Sequence, residues 1–191
     1  SITANGTSGP ITVPWNSNVT IAWSSTNSGS CTVTPPGWTG TSGSQQTGNL
    51  TVPGTYVYTA SCSGNGSTAA NQFVTVSDPV PTAYSVTYSP PDYCSSGPGG
   101  YVNWLYSDPS DSPQTAYEIQ ISKTGEFSNP FYTYTSGQTS SNVFTIPNGV
   151  LQFNLGYKAR VLVWNTYNAP SACSSPTNTF NTPNYAYPDV K

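Results

Sequence analysis

"NVTIAW" (Asn18–Trp23) places Val19, Ile21 and Trp23 on one face of an extended chain and Asn18, Thr20 and Ala22 on the other. That period of two is the mark of a strand buried on one side. Working outward, "TYVYTASC" (Thr55–Cys62) aligns Tyr56, Tyr58, Ala60 and Cys62, and "QFVTVS" (Gln72–Ser77) aligns Val74 and Val76. No stretch carries a helical period, and 18 prolines and 17 glycines punctuate the chain at the spacing of turns between short strands. The pattern predicts an all-β protein.

The alternation stops at "SDPVPT" (Ser77–Thr82), whose two prolines read as a short stiff connection. Beyond it the strands resume: "SVTY" (Ser85–Tyr88), "YVNWLY" (Tyr101–Tyr106), "AYEIQIS" (Ala116–Ser122), "FYTYTSG" (Phe131–Gly137), "NVFTIP" (Asn142–Pro147), "YKARVLVW" (Tyr157–Trp164) and "TNTF" (Thr177–Phe180). Alternation turns Val102 and Trp104 inward, then Tyr117, Ile119 and Ile121, then Tyr157, Ala159, Val161 and Val163. The expected organisation is one sandwich over residues 1–78, a proline-rich linker over 79–82, a second sandwich over 83–183, and a tail or onward linker over 184–191.

Composition narrows the work such a chain does. Of 191 residues only 6% are charged, none is His, and Ser1–Ser77 contains no Asp, Glu, Lys or Arg. Four Lys and Arg in total are too few to neutralise a run of phosphates, so nucleic acid is not an expected partner. No apolar run has the length of a membrane span. General acid–base catalysis draws on His, Glu, Asp or Lys in a tuned site, and the Ser-rich stretches have no His to activate a hydroxyl. The chain therefore reads as a non-enzyme with no cofactor. "SDPSDSPQTAYE" (Ser107–Glu118) offers Asp108, Asp111 and Glu118 to a hard cation, but Asp and Ser before Pro are ordinary turn formers, and no metal site is expected. Without a methionine and beginning at Ser1, the sequence reads as a processed product or part of something longer.

The residues carry two resemblances. "VTIAWSSTNSGSCTV" (Val19–Val33), "GNLTVPGTYVYTASC" (Gly48–Cys62) and "FVTVS" (Phe73–Ser77) resemble bacterial immunoglobulin-like repeats, with Tyr56 in the position of a tyrosine corner. "VNWLYSDP" (Val102–Pro109), "AYEIQIS" and "YKARVLVW" resemble a fibronectin type III domain. The resemblance implies tandem Greek-key β-sandwiches of the kind found in long bacterial surface proteins, where the work is spacing, adhesion or assembly. It implies an extracellular or cell-surface setting, in which an even number of cysteines forms disulfides. The implied pairs are Cys31–Cys62, joining neighbouring strands of one sheet, and Cys94–Cys173, in loops at opposite ends of an ideal type III sandwich.

Three function classes follow: a structural or adhesive surface module, a subunit of an extracellular filament or surface array, and a carbohydrate-binding sandwich. The first two imply contact with other protein domains or with copies of the chain. Leu162 and Trp164, outward by alternation, and Tyr185 and Tyr187 in the tail are the candidate interface residues. Cell-surface glycans would be met by exposed aromatics, with Trp38, Tyr132 and Tyr134 as candidates.

Overall fold

A computed structural model describes residues 1–26, 29–64, 68–91, 99–168 and 170–183. These form two compact units, Ser1–Pro79 and Val80–Lys191. All regular structure in them is β-strand.

The first unit contains β1 (Ile2–Ala4), β2 (Ile11–Val13), β3 (Ser17–Ser24), β4 (Cys31–Thr34), β5 (Trp38–Gly40), β6 (Ser42–Leu50), β7 (Gly54–Cys62) and β8 (Ala70–Val76). One sheet has the order β1-β3-β6 and the other β2-β8-β7-β4-β5. The first strand is thus divided between the sheets: β1 runs antiparallel to β3, and β2 runs parallel to β8. The buried Gln72 side chain donates from Nε2 to the Gly9 carbonyl, which anchors the chain where it changes sheets. Alternation on β3 buries Val19, Ile21 and Trp23 against Val33, Tyr58, Ala60, Val74 and Val76 of the facing sheet. Tyr56 Oη donates to the Val52 carbonyl at 3.0 Å, the bond of a tyrosine corner.

The second unit contains β9 (Thr82–Ser89), β10 (Gly100–Ser107), β11 (Gln114–Ser122), β12 (Tyr132–Thr135), β13 (Val143–Ile146), β14 (Gly156–Asn165) and β15 (Phe180–Asn181). Its sheets have the orders β13-β10-β9 and β12-β11-β14-β15. Every second residue of β14 from Tyr157 to Val163 is fully buried, as the alternation requires. These side chains meet Val102, Trp104, Ile119, Ile121, Phe144 and Ile146 in a core of the unit's own. The strand orders are those of immunoglobulin-like and fibronectin type III-like sandwiches respectively.

Two details depart from the sequence reading. The Pro-rich connection overlaps the second unit, since Thr82 is the first residue of β9. The last strand, expected over Thr177–Phe180, is reduced to Phe180–Asn181, and most of its place is taken by irregular chain from Pro170 onward.

Close packing in the first unit depends on one small residue. Gly43 of β6 lies opposite Trp23 of β3, and a Cβ there would sit 2.4 Å from the indole carbon Cζ2. The indole is fixed in turn by its Nε1 bond to the Gly40 carbonyl, 3.2 Å long. Gly43→Ala is therefore expected to destabilise the first unit by about 1–3 kcal/mol, the usual range for overpacking. Thermal unfolding followed by tryptophan fluorescence measures it; an unchanged transition would show that the indole has room to move.

Candidate functional site

Cys31 and Cys62 face each other across β4 and β7 and form a disulfide within one sheet. The same core cluster holds three stacked aromatic rings from three strands. Trp38 of β5 stacks on Trp23 with ring centres 6.0 Å apart and on Tyr58 with centres 6.4 Å apart, the planes parallel within 4°. Trp38 is half-buried and belongs to the margin of the core, where it lines a lateral cleft of about 210 Å³ with Leu50, Tyr56 and Tyr58. Pro35 and Pro36, between β4 and β5, form its other wall.

Trp38 belongs to the first unit, and Tyr132 and Tyr134 to an edge strand of the second. On β12 they lie opposite Ile121 and Ile119, whose side chains point into the core. Both therefore lean inward and cover Phe144 of the opposite sheet, Tyr134 with ring centres 4.8 Å apart. Tyr134 keeps 39% exposure.

On the outer face of β11 and β14 one neutral side chain, Gln120, links two charged ones. Arg160 Nε donates to Gln120 Oε1 at 2.8 Å, and Gln120 Nε2 donates to Glu118 Oε1 at 2.6 Å. Gln120 thus bridges Arg160 and Glu118. Arg160 also lies over the Phe127 ring, 4.5 Å from its centre. Leu162 is paired with Glu118 and Trp164 with Ala116, and both side chains are half-buried on this face. Tyr185 and Tyr187 lie outside the described residues.

Asp108 and Glu118 serve different neighbours. Asp108 accepts from the Ser110 backbone and hydroxyl at 2.8 and 2.6 Å and from Asn165 Nδ2 at 2.9 Å, which makes it the organiser of the turn after β10. Among the described residues no three His, Cys, Asp or Glu side chains gather as a metal site would need.

Alongside β14 the sequence holds a motif that alternation cannot reveal. Ser171, Ser174 and Thr177 recur every third residue, the period of a polyproline II helix. Each donates its backbone N–H to β14, reaching the carbonyls of Val163, Val161 and Ala159, all at 2.8 Å. Each hydroxyl accepts from the N–H of that same residue, at 2.9, 2.9 and 3.0 Å. The spacing S-x-x-S-x-x-T is the signal that would have found this segment. Cys173 lies between two of these rungs as an exposed free cysteine, on a groove of about 610 Å³ between this segment and β9. The Cys94 pairing expected of it falls outside the described residues.

No protein-family model matches the sequence, and no curated protein matches it significantly. Solved structures similar to the chain include domains A168–A170 of titin, 15% identical over 95% of this chain and 66% of that one, with TM-score 0.49. Domains FN1–FN3 of chicken CNTN1 are 15% identical over 89% of this chain and 64% of that one, with TM-score 0.44. A myokine structure is 18% identical over 56% of this chain and 99% of that one, with TM-score 0.43. The chain thus spans just under two-thirds of the titin and CNTN1 structures. The assignment of the two sandwiches rests on their strand order and register.

Two expected outcomes test this geometry. Reducing Cys31–Cys62, which closes a separation of 31 residues, is expected to cost the first unit about 3–4 kcal/mol in the chain-entropy picture. Denaturation with and without dithiothreitol measures it, and loss from the second unit alone would contradict it. The pH dependence separates the units further. Burial opposes the charge on Asp108, but hydrogen bonds from Ser110, Asn165 and the Ser112 backbone outweigh it and hold the carboxyl below its ordinary 3.8. A depressed carboxyl stabilises the fold above its unfolded value, so that stability is lost as pH falls below about 3.8. Burial, then the neighbouring tyrosine, raises Tyr58, Tyr117 and Tyr132 above 10.0. Their contribution is present below pH 10.0 and lost as pH rises past it. Stability is expected to stay level from about pH 5 to 8, where no reference side-chain value other than that of the absent His falls. Acid is expected to weaken the second unit before the first, and alkali to weaken both. Calorimetry across pH decides this, and a first transition more acid-sensitive than the second would overturn it.

Proposed function

We propose that the chain is a non-enzymatic, extracellular structural and adhesive module of a cell-surface protein. The carrying observation is that Ser1–Ser77, a closed sandwich, holds no acid, base or imidazole side chain with which to do chemistry at neutral pH. What such a domain can do is keep its shape and offer surfaces. The Cys31–Cys62 disulfide supports an oxidising setting, and no helix among the described residues is long and apolar enough to cross a membrane. In this reading residues 1–78 and 83–183 act as successive domains joined through 79–82, and residues 184–191 are a tail or a linker to a following element. The partners are other protein domains or copies of the chain.

The outer face of β11 and β14 is the contact surface in this proposal, with Leu162 and Trp164 as its apolar centre. Seating a Trp and a Leu against a partner buries area that stabilises a contact by several kcal/mol, at about 25 cal/mol per Å². A carboxylate cannot enter such a contact without a partner charge. Trp164→Glu in the full chain is therefore expected to keep both unfolding transitions while weakening adhesion or self-association at least about tenfold. Sedimentation velocity over a concentration series, with electron microscopy of the same samples, measures association and shows whether filaments form. Unaltered association and adhesion by the folded variant would place the contact elsewhere.

A further inference from the structure

In the second unit β9 lies at the edge of its sheet, hydrogen-bonded to β10 alone among the described residues. Such an edge presents a row of backbone N–H and C=O groups, which another extended backbone matches. Proteins blunt their edges with charges, prolines or bulges, and Thr82–Ser89 contains no charge and no proline. Its bulge lies at Ser85, where φ is 51°; Ser85 and Val86 together stand opposite Trp104 of β10. The straight part of the edge therefore ends at Tyr84. Facing it across the groove of about 610 Å³ is the segment Ala172–Asn178. That segment spends the N–H groups of Ser174 and Thr177 on β14, while those of Cys173, Ser175 and Asn178 make no backbone bond among the described residues. Main chain with unused hydrogen-bonding groups thus walls the groove on both sides, and none of the lining residues is charged. A short, extended, uncharged strand is its complement.

Residues 184–191, outside the described residues, supply such a sequence. Asn184–Tyr187 is uncharged and carries Tyr185 and Tyr187, a residue type favoured in strands, at the spacing of one strand face. Pro188 follows, and its missing N–H ends a ladder there. Four extended residues cover about 13 Å, the length of the run from Pro81 to Tyr84. The groove of the same copy is out of their reach. The segment runs beside β9 in the same direction, since Ala172–Asn178 flanks Val80–Val86 and Thr177–Phe180 flanks Val86–Tyr88. Phe180 accordingly stacks on Tyr88 with ring centres 3.9 Å apart, and Pro183 accepts from the Asn154 N–H beyond it. Returning from Tyr88 to Thr82 takes six residue steps, about 20 Å. A chain turning back in its own copy would bring Pro188–Lys191, with Asp189 and Lys191, to the edge and leave both tyrosines short of it. The same residues of a second copy are under no such constraint.

We propose that the groove between β9 and Ala172–Asn178 receives Asn184–Tyr187 of a second copy of the chain, added as a strand along Thr82–Tyr84. The contact is heterologous: a copy that gives its strand keeps its own groove open to another, so the contact repeats from copy to copy. This inference rests on the reading of a chain that meets its own copies, but it uses a groove that Trp164 does not line, so the two contacts fail separately.

Cys173 is exposed and borders the groove, so it serves as a reporter. In the full chain carrying Cys94→Ser, Ala186→Cys is expected to form disulfides between copies under mild oxidation, seen as dimers and larger multimers on a non-reducing gel. Peptide mapping is expected to join Cys173 to position 186, and Cys173→Ser to abolish that link. A second measurement leaves the cysteines alone. Sedimentation velocity over a concentration series compares the full chain with one ending at Pro183, which keeps every described residue and is expected to keep both unfolding transitions. The deletion is expected to raise the dissociation constant of self-association at least about tenfold. A link formed only within single copies, a full chain that stays monomeric and unlinked, or association that the deletion leaves unaltered would each overturn the proposal. Association lost with Trp164→Glu but kept after the deletion would overturn it too, while leaving the contact on the face of β11 and β14 standing.

Discussion

With so few charges, both units must satisfy their half-buried polar groups through neutral hydrogen bonds, and that constraint shapes everything else. A buried donor or acceptor left without a partner costs about 1–3 kcal/mol, comparable to a large part of a domain's net stability. In the first unit the Trp23 indole donates to the Gly40 carbonyl and the Gln72 amide nitrogen to the Gly9 carbonyl, with Gln72 Oε1 left as a buried acceptor that has no partner among the described residues. In the second, Trp104 Nε1 donates to Gln114 Oε1, whose Nε2 passes the connection to the Ser141 carbonyl. Amides and hydroxyls are short and directional, so each such bond fixes a place in the fold as well as satisfying an atom.

The same economy explains the outer face of β11 and β14. An Arg paired directly with a Glu on an exposed sheet is worth little because water screens it. Here Gln120 stands between them, using its carbonyl toward Arg160 and its amide toward Glu118. The guanidinium also covers the Phe127 ring. The result is a face on which the charged groups are tethered to neighbours, with Leu162 and Trp164 set among them.

How much of this was legible in the sequence divides along physical lines. Burial of Val19, Ile21 and Trp23, and of Tyr157, Ala159, Val161 and Val163, follows from a side-chain period of two, which any half-buried strand must show. The Cys31–Cys62 pairing followed from the resemblance, which put both cysteines on neighbouring strands. The face that Tyr132 and Tyr134 cover was not legible, because alternation says that they share a face but not which one, and at a sheet edge both faces are partly open. The cleft beside Trp38 was hidden for a related reason: it forms from the loop between β4 and β5 together with β5, β6 and β7, and no local pattern records which of these meet. The segment beside β14 escaped because a search for period two passes over a period of three.

That segment has a consequence for the chemistry of the surface. An ordinary strand alternates, so half of its side chains are committed to the interior. Here Ser171, Ser174 and Thr177 are buried, while Ala172, Cys173, Ser175, Pro176 and Asn178 all face outward. Two positions in three are free of packing duties. A proline, normally excluded from a paired strand because it lacks a donor, is accommodated at position 176 because only every third N–H is used. The flank of the second unit is thereby separated into a fixed hydroxyl scaffold and an interchangeable exterior. Through that exterior the module can change what it displays without changing how it folds.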